Sequence, residues 1–578
     1  MPPALLNLPA EIHAEIASYL SGRDVKNLRL VSTKALERFP LKLSRVFLSP
    51  NKADIRVFRK VSQHETLRHQ IVELIWDHTY FPELRSMAPG KIGSDLLDMA
   101  DFLTRCELET AKARVRQKRF SQSGLQLPDQ MKRPEADKVE WDFPVDFSKT
   151  HLGTLSACKC IQIYKKLARR QTKNIESEKD LRALSDYILR FPRLEKITVC
   201  HATQGWLFEP FYDTPTTRLL PRGFRHRKHR SDSMWARQGA SWPEMKTVYS
   251  KYIRGYIGIL SVLASIGNNL EIEELSIQSN GLPYGLTAHM FNRATPEYLD
   301  FVELLSRPTF RRLDLVLDSY NQEIHWPGIR SGHLRDALGQ VVNLQHFSLT
   351  ADMLHLHPWI TSEDWTPLNE FIPIDLWPLL QSFRLMDILV KQDDLVTFLG
   401  ALPLSVRIIE LGQLSFVDGH GDYATLLDLI KHQLHWSDRQ VAKQPRLTII
   451  VAISDFAPPG MMNWIDSEVQ EFIYNHGRTP FRGPRGPADV DAGVGVERDA
   501  FNPDHEWPHR DDFDWEQEVR IMRRQNYRLS MNLDNYLEQI AWGPDVSSSL
   551  QAARDESPGP WEDDDIDNVH YDISFDIE

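Results

Sequence analysis

Apolar residues in the first forty positions recur at helical spacing. The first helix is predicted from positions i, i+4, i+7 and i+8, which share one face: Ile12, Ile16, Tyr19 and Leu20. Pro9 suits the first helical turn, Gly22 predicts a stop, and Asp24 predicts the N-cap of a second helix. A third short helix is predicted to end before Pro40. The pattern therefore predicts a small helical module over residues 1–45, too small to bury all of its apolar side chains.

Beyond this module, helical stretches alternate with short strands of the form L-x-x-L-x-L. Strands are predicted near residues 45–48, 70–76, 194–199, 272–277, 310–317, 344–349, 378–385, 406–411 and 447–451. Corresponding strand positions lie 38, 34, 36 and 26 residues apart: Leu275, Leu313, Phe347, Phe383 and Ile409. The spacing is irregular but repetitive.

Each of these units offers one helix and one strand, and neither can bury its apolar side alone. Stacking of neighbouring units solves this problem, so the pattern predicts an α/β architecture with an irregular leucine-rich-repeat-like solenoid over residues 46–476. A non-repetitive, doubly wound α/β domain would give the same alternation and stays open as an alternative.

Composition narrows the class of protein. The chain has 578 residues, a formal net charge of −12 and four cysteines. The negative charge argues against general nucleic-acid binding, and the few, irregularly spaced cysteines argue against a disulfide framework. The most apolar run, residues 256–266, is too short to span a membrane, and no secretion signal is found. We therefore expect a soluble protein of the cytoplasm or nucleus that binds neither nucleic acid nor membrane.

Charge and turn-forming residues are unevenly distributed. Two basic insertions occur. The first, near residues 111–133, is interpreted as an exposed helix with a solvated face, and the second, near residues 218–237, as a disordered loop, a nuclear-import signal or a docking patch for an acidic or phosphorylated partner. Glycine and proline dominate residues 477–508, which predicts a linker, and residues 509–542 are predicted to form a helical cap. Residues 543–578 carry eleven Asp or Glu against one Arg, ten of the twelve net negative charges, and are predicted to be a disordered acidic tail.

No catalytic constellation emerges from the sequence. Cys158-x-Cys160 lacks the spacing of a zinc knuckle, and no GxGxxG, GxxxxGK[ST], GxSxG or HExxH motif occurs. His355 and His357 lie in an aromatic-rich segment that is more typical of packing than of metal binding. We therefore predict no catalytic residue, no metal, no cofactor and no enzymatic activity.

The N-terminal module resembles a known family. Residues 8–20 (LPAEIHAEIASYL) and 24–32 (DVKNLRLVS) are similar to an F-box, while Thr33, Lys34 and Ala35 depart from the basic and aromatic residues that often follow. The resemblance covers about the first forty-five residues, and an ordinary amphipathic helical hairpin is the alternative. The two helical stretches and the strand predicted over residues 56–76 are similar to what fungal F-box proteins often carry after the box.

The resemblance implies docking onto Skp1 and, through it, a cullin ubiquitin ligase. The residues expected to bind Skp1 are Leu8, Pro9, Ile12, Ile16, Leu20, Val25, Leu28, Leu30 and Val31. The implied function is that of a substrate-recognition adaptor for ubiquitin-dependent degradation, whose repeat region holds an unidentified target protein. Two alternatives remain open: a ligase-independent interaction scaffold, and an α/β enzyme with an unrecognised active site.

Overall fold

Three short helices form the N-terminal module. The computed structural model describes residues 7–20, 22–39, 43–81, 157–200, 212, 214–220, 242–278, 285–318, 326–351, 365–452, 461–475, 477–481, 490 and 493–499. The module's helices are α1 (Ala10–Ser18), α2 (Gly22–Arg29) and α3 (Thr33–Arg38). The prediction for the first turn of α2 was wrong, because Gly22 opens this helix and Asp24 lies inside it.

The module has a small core of its own. Its buried side chains are Ala17, Val25, Ala35 and Phe39, with Ile16, Leu20 and Leu28 packed at the margin. Ser32 caps α3 by accepting a 3.1 Å hydrogen bond from the Ala35 amide. At the other end of α3, the Arg29 guanidinium donates 2.7 Å to the Phe39 carbonyl, which would otherwise lack an intrahelical donor. These contacts hold α2 and α3 together.

A twelve-stranded, mostly parallel sheet dominates the rest of the described chain, so the protein is a mixed α/β fold. Its strands are β1 (Arg45–Leu48), β2 (Glu73–Asp77), β3 (Lys196–Cys200), β4 (Glu274–Gln278), β5 (Leu286–Thr287), β6 (Arg312–Asp318), β7 (His346–Ala351), β8 (Ser382–Met386), β10 (Ile408–Gly412), β12 (Arg446–Ala452), β13 (Met461–Ile465) and β14 (Val496–Asp499). Two further short strands, β9 (Leu389–Val390) and β11 (Ser415–Phe416), pair with each other.

Helices fill the connections between these strands. They are α4 (Lys52–Gln63), α5 (Ala157–Glu176), α6 (Lys179–Tyr187), α7 (Pro215–Leu219), α8 (Trp242–Ile266), α9 (Pro296–Leu305), α10 (Pro327–Arg330), α11 (His333–Leu338), α12 (Leu368–Phe371), α13 (Gln392–Gly400), α14 (Tyr423–Gln433) and α15 (Ser467–Tyr474). Local signals set several helix starts. Thr295 caps α9 just before Pro296, and Asp422 forms a capping box with Thr425 at α14.

The strands lie side by side in chain order. From β1 to β12 each main strand is parallel to its neighbours and the order never reverses, while β13 and β14 join antiparallel. The described sheet thus lacks the reversal of strand order at which doubly wound sheets bind ligands. The predicted correspondence of strand positions is confirmed, because Leu275, Leu313, Phe347, Phe383 and Ile409 occupy one register row.

One face of the sheet packs on the helices to form the main core. Alternate strand residues point to this face, as the period of a strand requires, and the row containing Phe347 is buried. Phe347 lies 4.7 Å from the Trp377 ring and 6.1 Å from the Phe383 ring. The Trp377 indole also donates 3.2 Å to the Leu338 carbonyl, so its polar edge is satisfied. Burying each large apolar side chain stabilises the fold by about 1.5–3 kcal/mol.

The sheet extends further along the chain than the sequence predicts. Strand β14 lies within residues 477–508, which were predicted to be a linker, and it pairs with β13. Gly493 and Gly495 have positive φ and form the turn before β14. The glycines at this point therefore belong to a turn that leads into a strand, and not to a linker. Short strands β5, β9 and β11 were not predicted. The predictions for residues 111–133, 221–237, 509–542 and 543–578 lie outside the described residues.

Candidate docking surfaces

The N-terminal module leaves apolar side chains on its surface. Leu30 is 62% exposed, Val31 69% and Tyr19 82%, and Ile12 and Leu36 are also exposed. Leu30 and Val31 follow α2, where the chain turns into α3. Several large apolar side chains exposed on so small a module are typical of a protein interaction site. The module is thus folded around one set of apolar residues and presents another.

The nine residues expected to bind Skp1 fall into three groups. Four are exposed: Pro9, Ile12, Leu30 and Val31. Another four are partly buried: Leu8, Ile16, Leu20 and Leu28. Val25, at 3% exposure, belongs to the module's own core and can act on a partner only by supporting the helices.

Two further surface residues, Tyr19 and Leu36, were missed as site candidates. Tyr19 was placed on the apolar face of α1, but the inner side of that helix is formed by His13 and Ala17. The His13 ring meets Phe39 edge-on at 5.2 Å between centroids. The face of α1 with helical spacing is thus divided, because Ile16 and Leu20 pack against the core of the module whereas Ile12 and Tyr19 are exposed.

A second candidate surface is the face of the sheet opposite the main core, although its β1 end is covered: Phe47, Ile75 and Cys200 are buried there, with Tyr212 packed against them. At its β1 end, the Glu73 carboxylate accepts from Arg45 Nε at 2.8 Å, Lys196 Nζ at 3.2 Å and Thr198 Oγ1 at 2.6 Å. Arg45, Glu73 and Lys196 share one register row on three adjacent strands, and Thr198 lies two residues further along β3. The carboxylate, itself 5% exposed, is thus fully compensated by its neighbours.

Paired charges continue across the middle of this face. Arg312 Nε lies 3.0 Å from Asp314, and Arg384 Nε lies 3.5 Å from Glu410. Burial by itself would lower the pKa of Arg312, but the carboxylate of Asp314 and its acidic neighbours outweigh this and raise that pKa. Burial, followed by the Arg312 charge, lowers the pKa of His346. His346 therefore stays neutral at physiological pH, and the face carries balanced charge.

The paired arginine and carboxylate side chains of this face offer hydrogen-bond donors and acceptors to a polar partner. Within the described residues, no three His, Cys, Asp or Glu side chains are grouped closely enough to hold a metal ion. Arginine and carboxylate side chains that already neutralise each other supply neither a nucleophile nor a free base. No helix in the described part of the chain combines the length and the hydropathy needed to cross a bilayer.

Comparisons with known proteins do not assign the chain to a family. Neither models of known protein families nor curated protein sequences gave a match.

Proposed function

We propose that the protein is a substrate-recognition adaptor of a Skp1-cullin-F-box ubiquitin ligase. The N-terminal module would dock on Skp1, and the sheet region would hold an unidentified target protein. In this function the adaptor supplies proximity and performs no chemistry itself. The observation that supports it best is the exposure of Leu30 and Val31, which belong to the LRLVS segment of the F-box-like pattern.

The architecture of the module supports this proposal. A generic helical hairpin that covers the end of a larger domain would turn its apolar residues toward that domain. Here the buried core of the module is a separate cluster from the main core, and Leu30, Val31 and Tyr19 face outward. Desolvating side chains of this kind is what drives association between proteins.

We further infer that residues 46–476 form an irregular leucine-rich-repeat-like solenoid. The support is the strand order, because each unit adds one parallel strand beside the previous one without reversal. Such stacking presents an extended sheet face along which a target can lie. The charge pairs around Arg312 and Arg384, whose side chains are 39% and 31% exposed, give the middle of that face a polar character.

The docking claim is tested by co-purification of Skp1 with the full chain. We expect a Leu30→Asp plus Val31→Asp variant to lose Skp1, since two hot-spot contacts of about 1.4 kcal/mol each correspond to a ~100-fold loss of affinity. The matched control is Val342→Asp plus Leu404→Asp, which alters one valine and one leucine of similar exposure elsewhere. The control should retain Skp1.

Two outcomes would overturn the proposal. One is equal recovery of Skp1 with both variants, and the other is no recovery with the unaltered chain. Val25→Ala separates folding from contact, because Val25 is buried in the core of the module. It should lower the stability of the module by about 1–2 kcal/mol and weaken docking only indirectly. Partners that survive deletion of residues 1–45 would favour a ligase-independent scaffold instead.

A further inference from the structure

Four exposed apolar residues line the end of the sheet at which the strands begin. We call Val342, Leu379, Leu404 and Val441 the turn row. Each lies three to five residues before the first residue of its strand, in the turns that lead into β7, β8, β10 and β12. They are 58%, 47%, 70% and 83% exposed. Structural need does not explain four such residues at matching places in successive units.

The register of the sheet brings these turns together. Strands β7, β8, β10 and β12 are direct neighbours, paired in parallel with His346, Ser382, Ile408 and Arg446 in one row. Neighbouring strands lie about 4.8 Å apart, so the turn row spans about 14 Å. Ile408, the first residue of β10, is also 45% exposed and widens the apolar surface. The turn row therefore places an exposed apolar side chain before each of four adjacent strands, and we call this edge the ridge.

Unneutralised cations flank this ridge. Arg407 donates 2.6 Å to the Leu404 carbonyl and 2.9 Å to the Val406 carbonyl. Arg439 lies 6.0 Å from the Trp436 ring, and Lys443 follows Val441 by two residues. Among the described residues, none of these three cations forms an ion pair with a carboxylate. An apolar ridge with free cations beside it fits a ligand that alternates apolar and acidic residues.

The chain itself contains such a segment. Residues 561–578 (WEDDDIDNVHYDISFDIE) hold eight Asp or Glu, no Lys or Arg, and seven large apolar residues. From Val569 onward, apolar and polar residues alternate strictly. Strand β14 lies five strand positions from β7, about 24 Å, whereas the residues between 499 and 561 can extend to about 200 Å. Chain length therefore does not limit contact.

We propose that residues 561–578 bind the turn row of the same chain and cover it. The apolar residues of the segment would contact Val342, Leu379, Leu404 and Val441, and its carboxylates would pair with Arg407, Arg439 and Lys443. The consequence is that this edge is occupied in the isolated protein. A target of similar acidic and apolar chemistry then has to displace the segment before it binds there.

Amide hydrogen exchange of residues 561–578 in the full chain tests this proposal. We expect exchange about tenfold slower than in a free peptide of the same sequence. A Leu404→Glu plus Val441→Glu variant should lose this protection, since it removes apolar surface and adds repulsion. Leu299→Glu, at a residue of 57% exposure on α9, is the matched control and should keep the protection. Added salt should weaken protection, because the ion pairs are exposed.

Several outcomes would overturn the proposal. Exchange of residues 561–578 at the free-peptide rate in the unaltered chain shows that no contact forms. Protection that persists in the Leu404→Glu plus Val441→Glu variant places the contact elsewhere. Protection that rises with protein concentration assigns the contact to a second copy of the chain. An Ile573→Asp plus Phe575→Asp variant provides a reverse check, since it leaves the sheet unaltered and should also abolish protection.

Discussion

Asp54 is a buried carboxyl group whose ionisation should govern stability between acid and neutral pH. It lies on α4 with 0% exposure, next to the Ser49 hydroxyl, and accepts a 2.9 Å hydrogen bond from the Thr216 amide of α7. Burial, followed by the charge of Asp77, raises the pKa of Asp54 from 3.8 to about 7. The folded protein therefore favours the neutral carboxyl group.

The sign and size of the effect follow from this pKa. A carboxyl group with a raised pKa binds its proton more tightly in the folded than in the unfolded state, so its contribution is complete below pH 3.8 and is lost as pH rises toward about 7. Each pH unit in this window corresponds to about 1.4 kcal/mol, which gives ~4 kcal/mol in total. Above about pH 7 the contribution of Asp54 no longer changes.

Asp54→Asn imitates the neutral carboxyl group at every pH. The amide oxygen can still accept from Thr216, while the Ser49 hydroxyl loses the acceptor it has in Asp54, which costs about 1 kcal/mol. We therefore expect the variant to be about 1 kcal/mol less stable than the unaltered chain near pH 4 and about 3 kcal/mol more stable near pH 8. Urea unfolding at a series of pH values measures this difference.

Comparing the two proteins at each pH removes the contribution of all other titrating groups. The reasoning is refuted if the two stability profiles run parallel between pH 4 and pH 7, because Asp54 would then not titrate in this window.

Asp77→Asn is a useful companion variant. It should lower the pKa of Asp54, since the Asp77 charge is the second cause of the shift, and so narrow the window in which stability is lost.

Two further predictions concern packing of α8. In Gly255→Ala the new Cβ would lie 2.1 Å from Trp76 Nε1 in the core, so we expect the free energy of unfolding measured in urea to fall by about 2–3 kcal/mol. Gly400→Ala is the control: its new Cβ meets only a Leu434 methyl at 3.2 Å, so its free energy of unfolding should change by no more than about 1 kcal/mol. Asp180→Asn breaks the buried ion pair with Arg254 and should cost about 3 kcal/mol, and a urea midpoint equal to that of the unaltered chain would contradict this.

Much of the fold could be predicted from local patterns. The strands from β1 to β12 that carry alternating or continuous apolar residues were located within a few residues, and the equivalence of Leu275, Leu313 and Phe347 was predicted correctly. The strand positions could be predicted because each unit has the same local pattern, in which one helix and one strand bury their apolar sides against each other. Strand β14, VERD, has no such signature and is defined only by its pairing with β13.

The candidate surfaces depend more on tertiary structure. Sequence spacing put Val25, Leu30 and Val31 in one set of expected partner-binding residues, yet Val25 is buried and the other two are exposed. Which apolar residues face inward depends on how α1, α2 and α3 pack, and no single helix contains that information. The buried histidine, His13, is one result of this packing.

The sequence by itself determined the helical module, the repeated helix and strand units and the uneven charge of the chain. Only the tertiary structure decided that the strands lie in chain order, that Glu73 contacts cations from two neighbouring strands, and that Val342, Leu379, Leu404 and Val441 precede four adjacent strands. The physical reason is range: helix and strand propensities act over a few residues, whereas these contacts join residues tens to more than a hundred positions apart.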